Sequence, residues 1–388
     1  MRHIALLLLT LFLPATVYAV EIVEKQQTPV YGAQIFVLDP AYNGDLNRFF
    51  RELKERGADT VYLRVFHNVN DRVHLGLANP CPDGGVYFAS KNVCVVADIL
   101  KDAVAAGHAN GIKVYAWMAT RSLSFLKKEV TLSRSFSPGG GTVAGYGANI
   151  FNPEVRGTIK KLFFDLAASS ADGILIQDDF IIKYNEGADS RACAAFTKET
   201  GIACTADTFF ASSFAGPDRK PVFGARTAAY QTWIKWKSEK LSDLLYEIRY
   251  GARLINPRQK WAVNIYYETP VYPEKGLSWY AQDMNMLRGA GIDYFAVMMY
   301  QEQIIKEMGL TKTEFLDFAE RLGRHSISAA KNNAGTVFKI QVRLFDNNRT
   351  AVSAEDLRLL CARLKRAGGI SFVQLPVNKP SDMMPVCR

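Results

Sequence analysis

Eight short apolar stretches, each typical of a buried β-strand, alternate with amphipathic helical patterns along the chain. The strand-like stretches cover residues 32–38, 59–66, 112–118, 172–178, 261–267, 292–300, 336–342 and 369–375. The helical patterns cover residues 44–56, 97–110, 153–169, 228–250, 277–290, 312–331 and 354–367. Eight strands with intervening helices and no dividing linker predict a single α/β domain, a (β/α)8 barrel of the TIM type. A doubly wound open sheet is the structural alternative, but no Gly-x-Gly-x-x-Gly motif follows the first stretch.

The fourth strand-like stretch ends in two adjacent carboxylates, Asp178 and Asp179. A buried parallel strand delivers its last residues to the carboxy-terminal face of a barrel, where barrel enzymes build their sites. The pair is therefore a candidate for acid chemistry, because each carboxylate raises the proton affinity of the other. The alternative is that both residues cap the segment that follows, as Asp often does.

Strand alternation indicates which other side chains enter the barrel mouth, because successive residues point to opposite sides. Along the fourth strand it directs Asp179 inward. The other polar or aromatic residues that it places at the mouth are Arg64, Phe66, Trp117, Gln177, Asn264, Tyr266, Glu268, Tyr300, Glu302, Lys339, Gln341 and Arg343. Carboxylates for acid catalysis beside aromatic faces for stacking predict a carbohydrate site.

Three long connections, residues 67–96, 119–152 and 180–225, follow the second, third and fourth strand-like stretches. In a barrel they all lie on the carboxy-terminal face. The segment from Ser137 to Tyr146 is rich in glycine and predicts a mobile loop over that face, although a plain surface excursion fits it equally well.

Residues 1–19 have the pattern of a secretory signal peptide: a basic start, an apolar run over residues 4–13 and a small-residue cleavage site that ends at Ala19. The apolar run is too short for a membrane span, and no other stretch reaches about twenty apolar residues. We therefore expect a soluble mature domain of residues 20–388, periplasmic or secreted, with no membrane span.

Export to an oxidising compartment favours disulfides for the six cysteines. Among the fifteen possible pairings, short sequence separations favour Cys81 with Cys94, Cys193 with Cys204 and Cys361 with Cys387. No Cys-x-x-Cys motif occurs and the five histidines have no metal-ligand spacing, so we predict no metal and no cofactor. The formal net charge of +9 comes from scattered Lys and Arg residues, a distribution typical of a solvated surface, so nucleic-acid binding is not expected.

A series of short motifs in one order resembles the carboxy-terminal, glycoside hydrolase-like domain of the PgaB family. These proteins process the biofilm polysaccharide poly-β-1,6-N-acetyl-D-glucosamine. The resemblance covers residues 30–386. The motifs are Val86-Tyr87-Phe88, Val114-Tyr115-Ala116-Trp117-Met118, Asn152-Pro153-Glu154-Val155-Arg156, Asp172-Gly173-Ile174-Leu175 with Asp178-Asp179, residues 233–238, Asn264-Ile265-Tyr266, Trp279-Tyr280-Ala281-Gln282, Glu302 and Phe372-Val373-Gln374.

This resemblance implies endo-cleavage of partly deacetylated poly-β-1,6-glucosamine. It implies that Asp178 and Asp179 are the catalytic and subsite acids and that Tyr146 and Trp279 contact sugar. PgaB proteins also carry an amino-terminal deacetylase domain, for which there is no room before Gly32. A separate deacetylase or an export machinery is therefore an expected partner, beside the polysaccharide itself.

We predict a glycoside hydrolase that uses Asp178 and Asp179, with Glu302 or Glu268 as the partner across the mouth. The predicted substrate contacts are Arg64, Trp117, Tyr146, Asn264, Tyr266, Trp279 and Tyr300. One alternative is a non-catalytic module that binds or guides polysaccharide during export. A second is a chitinase-like hydrolase, but the Asp-Gly-x-Asp-x-Asp-x-Glu strand of chitinases has acids where this chain has Leu175 and Gln177.

Overall fold

The chain folds into a closed barrel of parallel strands, as the alternating pattern predicts. A computed structural model describes residues 28–216, 220–330, 334–345 and 350–387. Within these ranges the barrel strands are β1 (Tyr31–Ile35), β2 (Thr60–Arg64), β3 (Lys113–Met118), β4 (Gly173–Ile176), β5 (Lys260–Ile265), β6 (Tyr294–Met299), β7 (Gly335–Gln341) and β8 (Phe372–Val377). They follow each other around the barrel in chain order, and β8 pairs with β1 to close it.

All eight predicted strands are present, but several end earlier than the apolar pattern does. β4 ends at Ile176, β5 at Ile265 and β6 at Met299. The apolar pattern runs further because buried loop and helix residues are apolar as well. Residues just beyond these strand ends therefore do not follow strand alternation, and this affects the site.

Helices surround the barrel, and side chains fix where several of them begin. Asp45 accepts a hydrogen bond from the backbone N–H of Arg48 over 3.0 Å, and Asn152 accepts one from Glu154 over 2.9 Å. The helices are α1 (Leu46–Glu55), α2 (Ile99–Ala109), α3 (Pro153–Ala167), α4 (Ser190–Thr200), α5 (Ala206–Phe209), α6 (Ala228–Ile255), α7 (Glu268–Val271), α8 (Pro273–Tyr280), α9 (Met284–Gly289), α10 (Gln301–Met308), α11 (Lys312–Ala330) and α12 (Ala354–Arg366).

The predicted helix over residues 277–290 is wrong. The segment contains the end of α8 and the separate helix α9, because Ala281 between them adopts a left-handed conformation with φ of 55°. Asp283 then caps α9 by accepting from the backbone N–H groups of Asn285 and Met286. The break brings Gln282 under the end of β5, where it is fully buried.

The connections after β3 and β4 contain short antiparallel hairpins at the carboxyl end of the barrel. Leu132–Phe136 pairs with Thr142–Ala148, and Phe214–Ala215 pairs with Pro221–Val222. The segment predicted as a loop is thus the turn and second strand of a hairpin that carries Tyr146. A second hydrophobic cluster, separate from the barrel core, packs both connections against α6 through Phe136, Phe196, Phe209, Phe210, Tyr230, Trp233 and Trp236.

The three predicted disulfides are confirmed, with Cα–Cα distances of 5.8, 5.2 and 5.1 Å for Cys81–Cys94, Cys193–Cys204 and Cys361–Cys387. The predicted signal peptide, residues 1–19, lies outside the described residues. None of the described helices has the length and apolar character needed to cross a membrane.

Candidate active site

A cavity of about 300 Å³ opens at the carboxyl ends of the strands. A carbohydrate site was predicted at this end of the barrel. The cavity is lined by Phe36, Arg64, Phe66, Asn68, Asp71, Trp117, Gln177, Asp178, Asn264, Tyr300, Lys339 and Phe345. Of the predicted site residues, it brings together Asp178, Arg64, Trp117, Asn264 and Tyr300.

The carboxylate of Asp178 lines this cavity. Burial raises the pKa of Asp178, the positive charge of Lys339 lowers it, and the negative charge of Asp179 adds to the rise. Lys339 is fully buried, and burial lowers its pKa to about 8. A carboxyl group that keeps its proton nearer to neutral pH is suited to protonate a leaving group.

Several buried polar atoms of the cavity wall have no hydrogen-bond partner among the described residues. They are Arg64 Nε, Trp117 Nε1, Gln177 Oε1 and Asn264 Nδ2. Buried polar atoms are normally paired, so four unpaired ones around a single cavity are unusual.

Asp179 has different contacts from Asp178. Its carboxylate accepts hydrogen bonds from the backbone N–H groups of Thr120, Arg121 and Ser122 at 2.6–3.1 Å, and from the Thr120 hydroxyl at 3.0 Å. It is fully buried and holds the chain that leaves β3. Strand alternation directed Asp179 into the mouth, but β4 ends at Ile176 and a turn follows, so Asp178 lines the cavity instead.

Arg64 and Trp117 form one wall of the cavity. Arg64 Nη1 lies 3.4 Å from Asp71, and its guanidinium lies 5.7 Å from the ring centroid of Phe66. Trp117 packs edge-on against Phe36, with ring centroids 4.7 Å apart. Two carboxylates line the cavity. Asp71 forms an ion pair with Arg64, whereas Asp178 forms no ion pair among the described residues.

Tyr266 and Glu268 lie beside the cavity rather than in its lining. The hydroxyl of Tyr266 is 3.5 Å from the backbone oxygen of Asp178, and its ring stacks on Tyr280 at 4.0 Å. Tyr280 in turn donates a hydrogen bond to Glu268 over 3.1 Å. Burial raises the pKa of Glu268.

Gln282, which was not among the predicted site residues, positions this side of the site. Its Oε1 accepts from the backbone N–H of Tyr266 over 3.2 Å and from the hydroxyl of Thr269 over 3.0 Å, while its Nε2 donates to the backbone oxygen of Asn264 over 3.1 Å. It therefore fixes the chain where β5 ends. Gln282 stands in one of the motifs of the family resemblance, but nothing in the sequence around it indicates this role.

The remaining predicted residues lie outside the cavity lining. Glu302 is exposed on the first turn of α10, because β6 ends before it. Tyr146 and Trp279 are not part of the cavity lining, and Trp279 is 42% exposed. Phe36, Asn68, Asp71 and Phe345 line the cavity but were not among the predicted site residues, and all four lie beyond the ends of strands in the structure. Among the described residues there is no cluster of three or more His, Cys, Asp or Glu side chains that could hold a metal ion.

A closed (β/α)8 barrel with an acid in a polar cavity at its carboxyl end is an architecture that glycoside hydrolases share with other barrel enzymes. The sequence model of Hypothetical glycosyl hydrolase family 13 matches residues 36–373, and the chain belongs to this family. No match was found among curated protein sequences.

Solved structures share the fold. The PgaB (BpsB) glycoside hydrolase domain from Bordetella bronchiseptica is 20% identical, with a TM-score of 0.68 over 90% of this chain and 95% of that chain. The β-galactosidase from the psychrophilic Marinomonas ef1 is 11% identical, with a TM-score of 0.59 over 91% of this chain and 56% of that chain. The catalytic domain of β-amylase from Paenibacillus polymyxa is 9% identical, with a TM-score of 0.56 over 92% and 94%. The predicted resemblance to the PgaB domain is confirmed.

Proposed function

We propose that this protein is an endo-acting glycoside hydrolase of poly-β-1,6-N-acetyl-D-glucosamine or its partly deacetylated form. The likeness to the PgaB glycoside hydrolase domain supports the choice of polymer. The observation that carries the proposal is the placement of Asp178, with its raised pKa, among the unpaired donors and acceptor of the cavity.

In this proposal Asp178 is the general acid. Its proton goes to the glycosidic oxygen as the bond to the anomeric carbon breaks and positive charge develops on the sugar ring. A water molecule then bonds to the anomeric carbon and gives up a proton, which restores the acid. Trp117 and Tyr300 offer aromatic faces in the cavity, and Asn264 Nδ2 offers an N–H donor for a hydroxyl or acetamido oxygen. Asp179 holds the strand-end geometry through its backbone hydrogen bonds and does not exchange protons with substrate.

The test is incubation of the purified protein with fully acetylated β-1,6-linked oligosaccharides, partly deacetylated ones and chitin oligosaccharides, with products read by mass spectrometry. Cleavage of a β-1,6-linked oligosaccharide is expected. The Asp178→Asn variant should turn over about 10²–10⁴-fold more slowly, the usual scale for losing a positioned acid. Cleavage of the chitin series alone would instead support the chitinase-like alternative.

A second candidate is a polysaccharide-binding module without catalysis, with a role in guiding polymer during export. The observation in its favour is that Glu268 and Glu302 do not line the cavity, and that the second carboxylate in its lining, Asp71, is ion-paired with Arg64. Binding of intact oligosaccharide with no products after prolonged incubation would support this candidate.

The three disulfides fit an extracellular or periplasmic protein. We place the mature protein, residues 20–388, in the periplasm or outside the cell, after removal of residues 1–19. A separate deacetylase or export machinery remains the proposed partner. Amino-terminal sequencing of the exported protein tests the cleavage after Ala19.

A further inference from the structure

The last turns of α6 carry a row of exposed apolar side chains. Tyr246, Tyr250 and Leu254 stand at every fourth residue, so they lie along one face of the helix. Their exposed fractions are 55%, 58% and 74%, and Ile255 beside Leu254 is 47% exposed. The two tyrosine rings stack on each other with centroids 6.0 Å apart. Large apolar side chains grouped in this way indicate a surface that another molecule covers.

This end of α6 lies at the amino-terminal face of the barrel, opposite the cavity. α6 ends at Ile255 and β5 begins at Lys260, so the turn between them lies where the barrel strands start. Gln259 in this turn donates hydrogen bonds to the backbone oxygens of Leu166, at the end of α3, and Ala171, just before β4, over 3.3 and 3.1 Å. The cavity lies at the other ends of these strands, so a molecule that docks here leaves it open.

Two arginines flank the apolar side chains. Arg253 precedes Leu254 on the last turn of α6, Arg258 lies in the turn that follows, and both are exposed. Neither forms an ion pair with a carboxylate in the part of the chain that the structure describes. We call the surface made by these residues the basal patch: Tyr250, Arg253, Leu254, Ile255 and Arg258.

The acids that adjoin the basal patch have partners of their own. Asp172, before β4, lies 2.9 Å from Nε2 of His108, and Asp293, before β6, lies 2.8 Å from Nζ of Lys260. Glu247, on α6 itself, lies 2.7 and 3.1 Å from two cations of α3. The charge that the basal patch presents to a docking molecule is therefore positive, and it complements an anionic surface.

The order of side chains along α6 corresponds to the layers of a lipid surface. Leu254 and Ile255 stand at the tip of the helix, together with Arg253. Tyr250 lies one turn, or about 6 Å, further from the tip. Acyl chains, anionic head groups and an interfacial zone that favours tyrosine follow each other in the same order across the edge of a membrane. A groove for a peptide or for a second chain requires no such order.

We infer that the basal patch docks this protein on an anionic lipid surface. Leu254 and Ile255 enter the boundary between head groups and acyl chains, and Arg253 and Arg258 lie against lipid phosphates. Two aliphatic side chains and two cations make this docking peripheral and reversible. The mouth of the barrel then faces away from the lipid. The inference goes beyond the proposed function and holds for any polysaccharide that the cavity accepts.

The test is cosedimentation of the exported protein with lipid vesicles. The mass of the protein verifies that residues 1–19 have been removed, since their apolar run binds lipid by itself. Vesicles of phosphatidylglycerol and phosphatidylcholine in equal amounts are compared with vesicles of phosphatidylcholine alone. The parent is compared with Leu254→Ser/Ile255→Ser and with Arg253→Gln/Arg258→Gln.

Each patch variant has a matched control on another surface. Val130→Ser/Leu359→Ser removes two other exposed apolar side chains, which are 80% and 40% exposed. Arg51→Gln/Lys101→Gln removes two exposed cations of α1 and α2. Melting temperatures verify the fold of every variant, and turnover of a soluble oligosaccharide should be the same in all of them.

The parent should bind the anionic vesicles and should bind phosphatidylcholine vesicles far more weakly. The serine variant of the patch should lose at least about tenfold in affinity, because two aliphatic side chains no longer leave water. The glutamine variant of the patch should lose about fivefold per arginine at low salt, and added salt should weaken the parent. Both controls should bind like the parent.

Several results overturn the inference. One is a folded parent that does not bind anionic vesicles or binds both kinds of vesicle equally, and another is unchanged binding in both patch variants. Loss of binding in the glutamine variant alone would assign the patch to a soluble polyanion. A dimer in sedimentation velocity that the serine variant abolishes would assign it to a second copy of this chain. Turnover is measured separately, so each of these results leaves the proposed function standing.

Discussion

Nζ of Lys339 donates a hydrogen bond to Oδ1 of Asn264 over 3.0 Å inside the barrel. This contact sets the orientation of the Asn264 amide, so that Nδ2 is the amide atom without a hydrogen-bond partner among the described residues. The same Lys339 lowers the pKa of Asp178, against the larger effect of burial. One buried cation therefore acts on both the binding and the acid–base properties of the cavity.

Replacement of Lys339 by Met should move the pH profile of hydrolysis. A general acid works in its protonated form, so activity falls as pH rises through the pKa of Asp178. Removal of the cation raises that pKa, and the alkaline limb of kcat/KM should move to higher pH by about one to two units, the scale of one close opposite charge. The profile is measured on a β-1,6-linked oligosaccharide between acid and alkaline pH.

The control for this experiment is Lys101→Met, which removes an exposed charge on α2 and should leave the profile where it is. An unmoved limb in a folded Lys339→Met protein would show that Asp178 is not the titrating acid. A limb that moves to lower pH would contradict the conclusion that the charge of Lys339 lowers the pKa of Asp178.

Changing each of the two adjacent aspartates to Asn should affect a different property, stability for Asp179 and turnover for Asp178. Asp179→Asn removes a charged acceptor from three backbone N–H groups and turns an Nδ2 donor toward them. The free energy of unfolding should fall by about 2–4 kcal/mol, because buried donors lose a charged partner. Asp178→Asn should lose turnover while its denaturant midpoint stays near that of the wild type. Chemical unfolding and initial rates are measured on both variants. If the two changes had equal effects on stability and on turnover, the assignment of a structural role to Asp179 and a catalytic role to Asp178 would be wrong.

Gln282→Leu should weaken both the fold and the site. The change leaves the buried backbone N–H of Tyr266 and the hydroxyl of Thr269 without their acceptor, at a cost of about 2–3 kcal/mol in the free energy of unfolding. Oligosaccharide affinity should fall as well, since Asn264 and Tyr266 lose their anchor. Gln303→Leu on the exposed face of α10 is the matched control and should change stability by less than about 0.5 kcal/mol.

Periodicity predicted the eight strands because both faces of a parallel barrel strand are buried, which leaves continuous apolar runs. The same alternation fails one or two residues beyond a strand end. It therefore directed Asp179 inward, although the turn after Ile176 gives that position to Asp178. It also aligned Glu302 with Tyr300, although α10 begins between them.

Contacts between distant segments could not be predicted from the sequence, because they depend on how the folded elements are arranged in space. Lys339 was on the inward side of its strand, but its coupling to Asp178 depends on how two strands face each other across the barrel. The role of Gln282 depends on the left-handed Ala281, which breaks an otherwise helical pattern. The disulfide pairings were predictable because each closes a short loop, with sequence separations of 13, 11 and 26 residues.

Trp279→Ala should reduce oligosaccharide affinity without a comparable loss of stability. The ring is 42% exposed and contacts Tyr184 and Arg226, so little buried surface disappears with it. Loss of an aromatic platform for a sugar face should raise Kd about tenfold, or about 1.4 kcal/mol. Tyr250→Ala is the matched control, since Tyr250 is 58% exposed and stacks on Tyr246 on the outer helix α6. Calorimetric titration with an acetylated oligosaccharide gives Kd, and thermal unfolding gives stability. A large drop in melting temperature with unchanged Kd would assign Trp279 to the fold, and an equal loss of affinity in both variants would show that sugars bind exposed aromatic rings without regard to the barrel mouth.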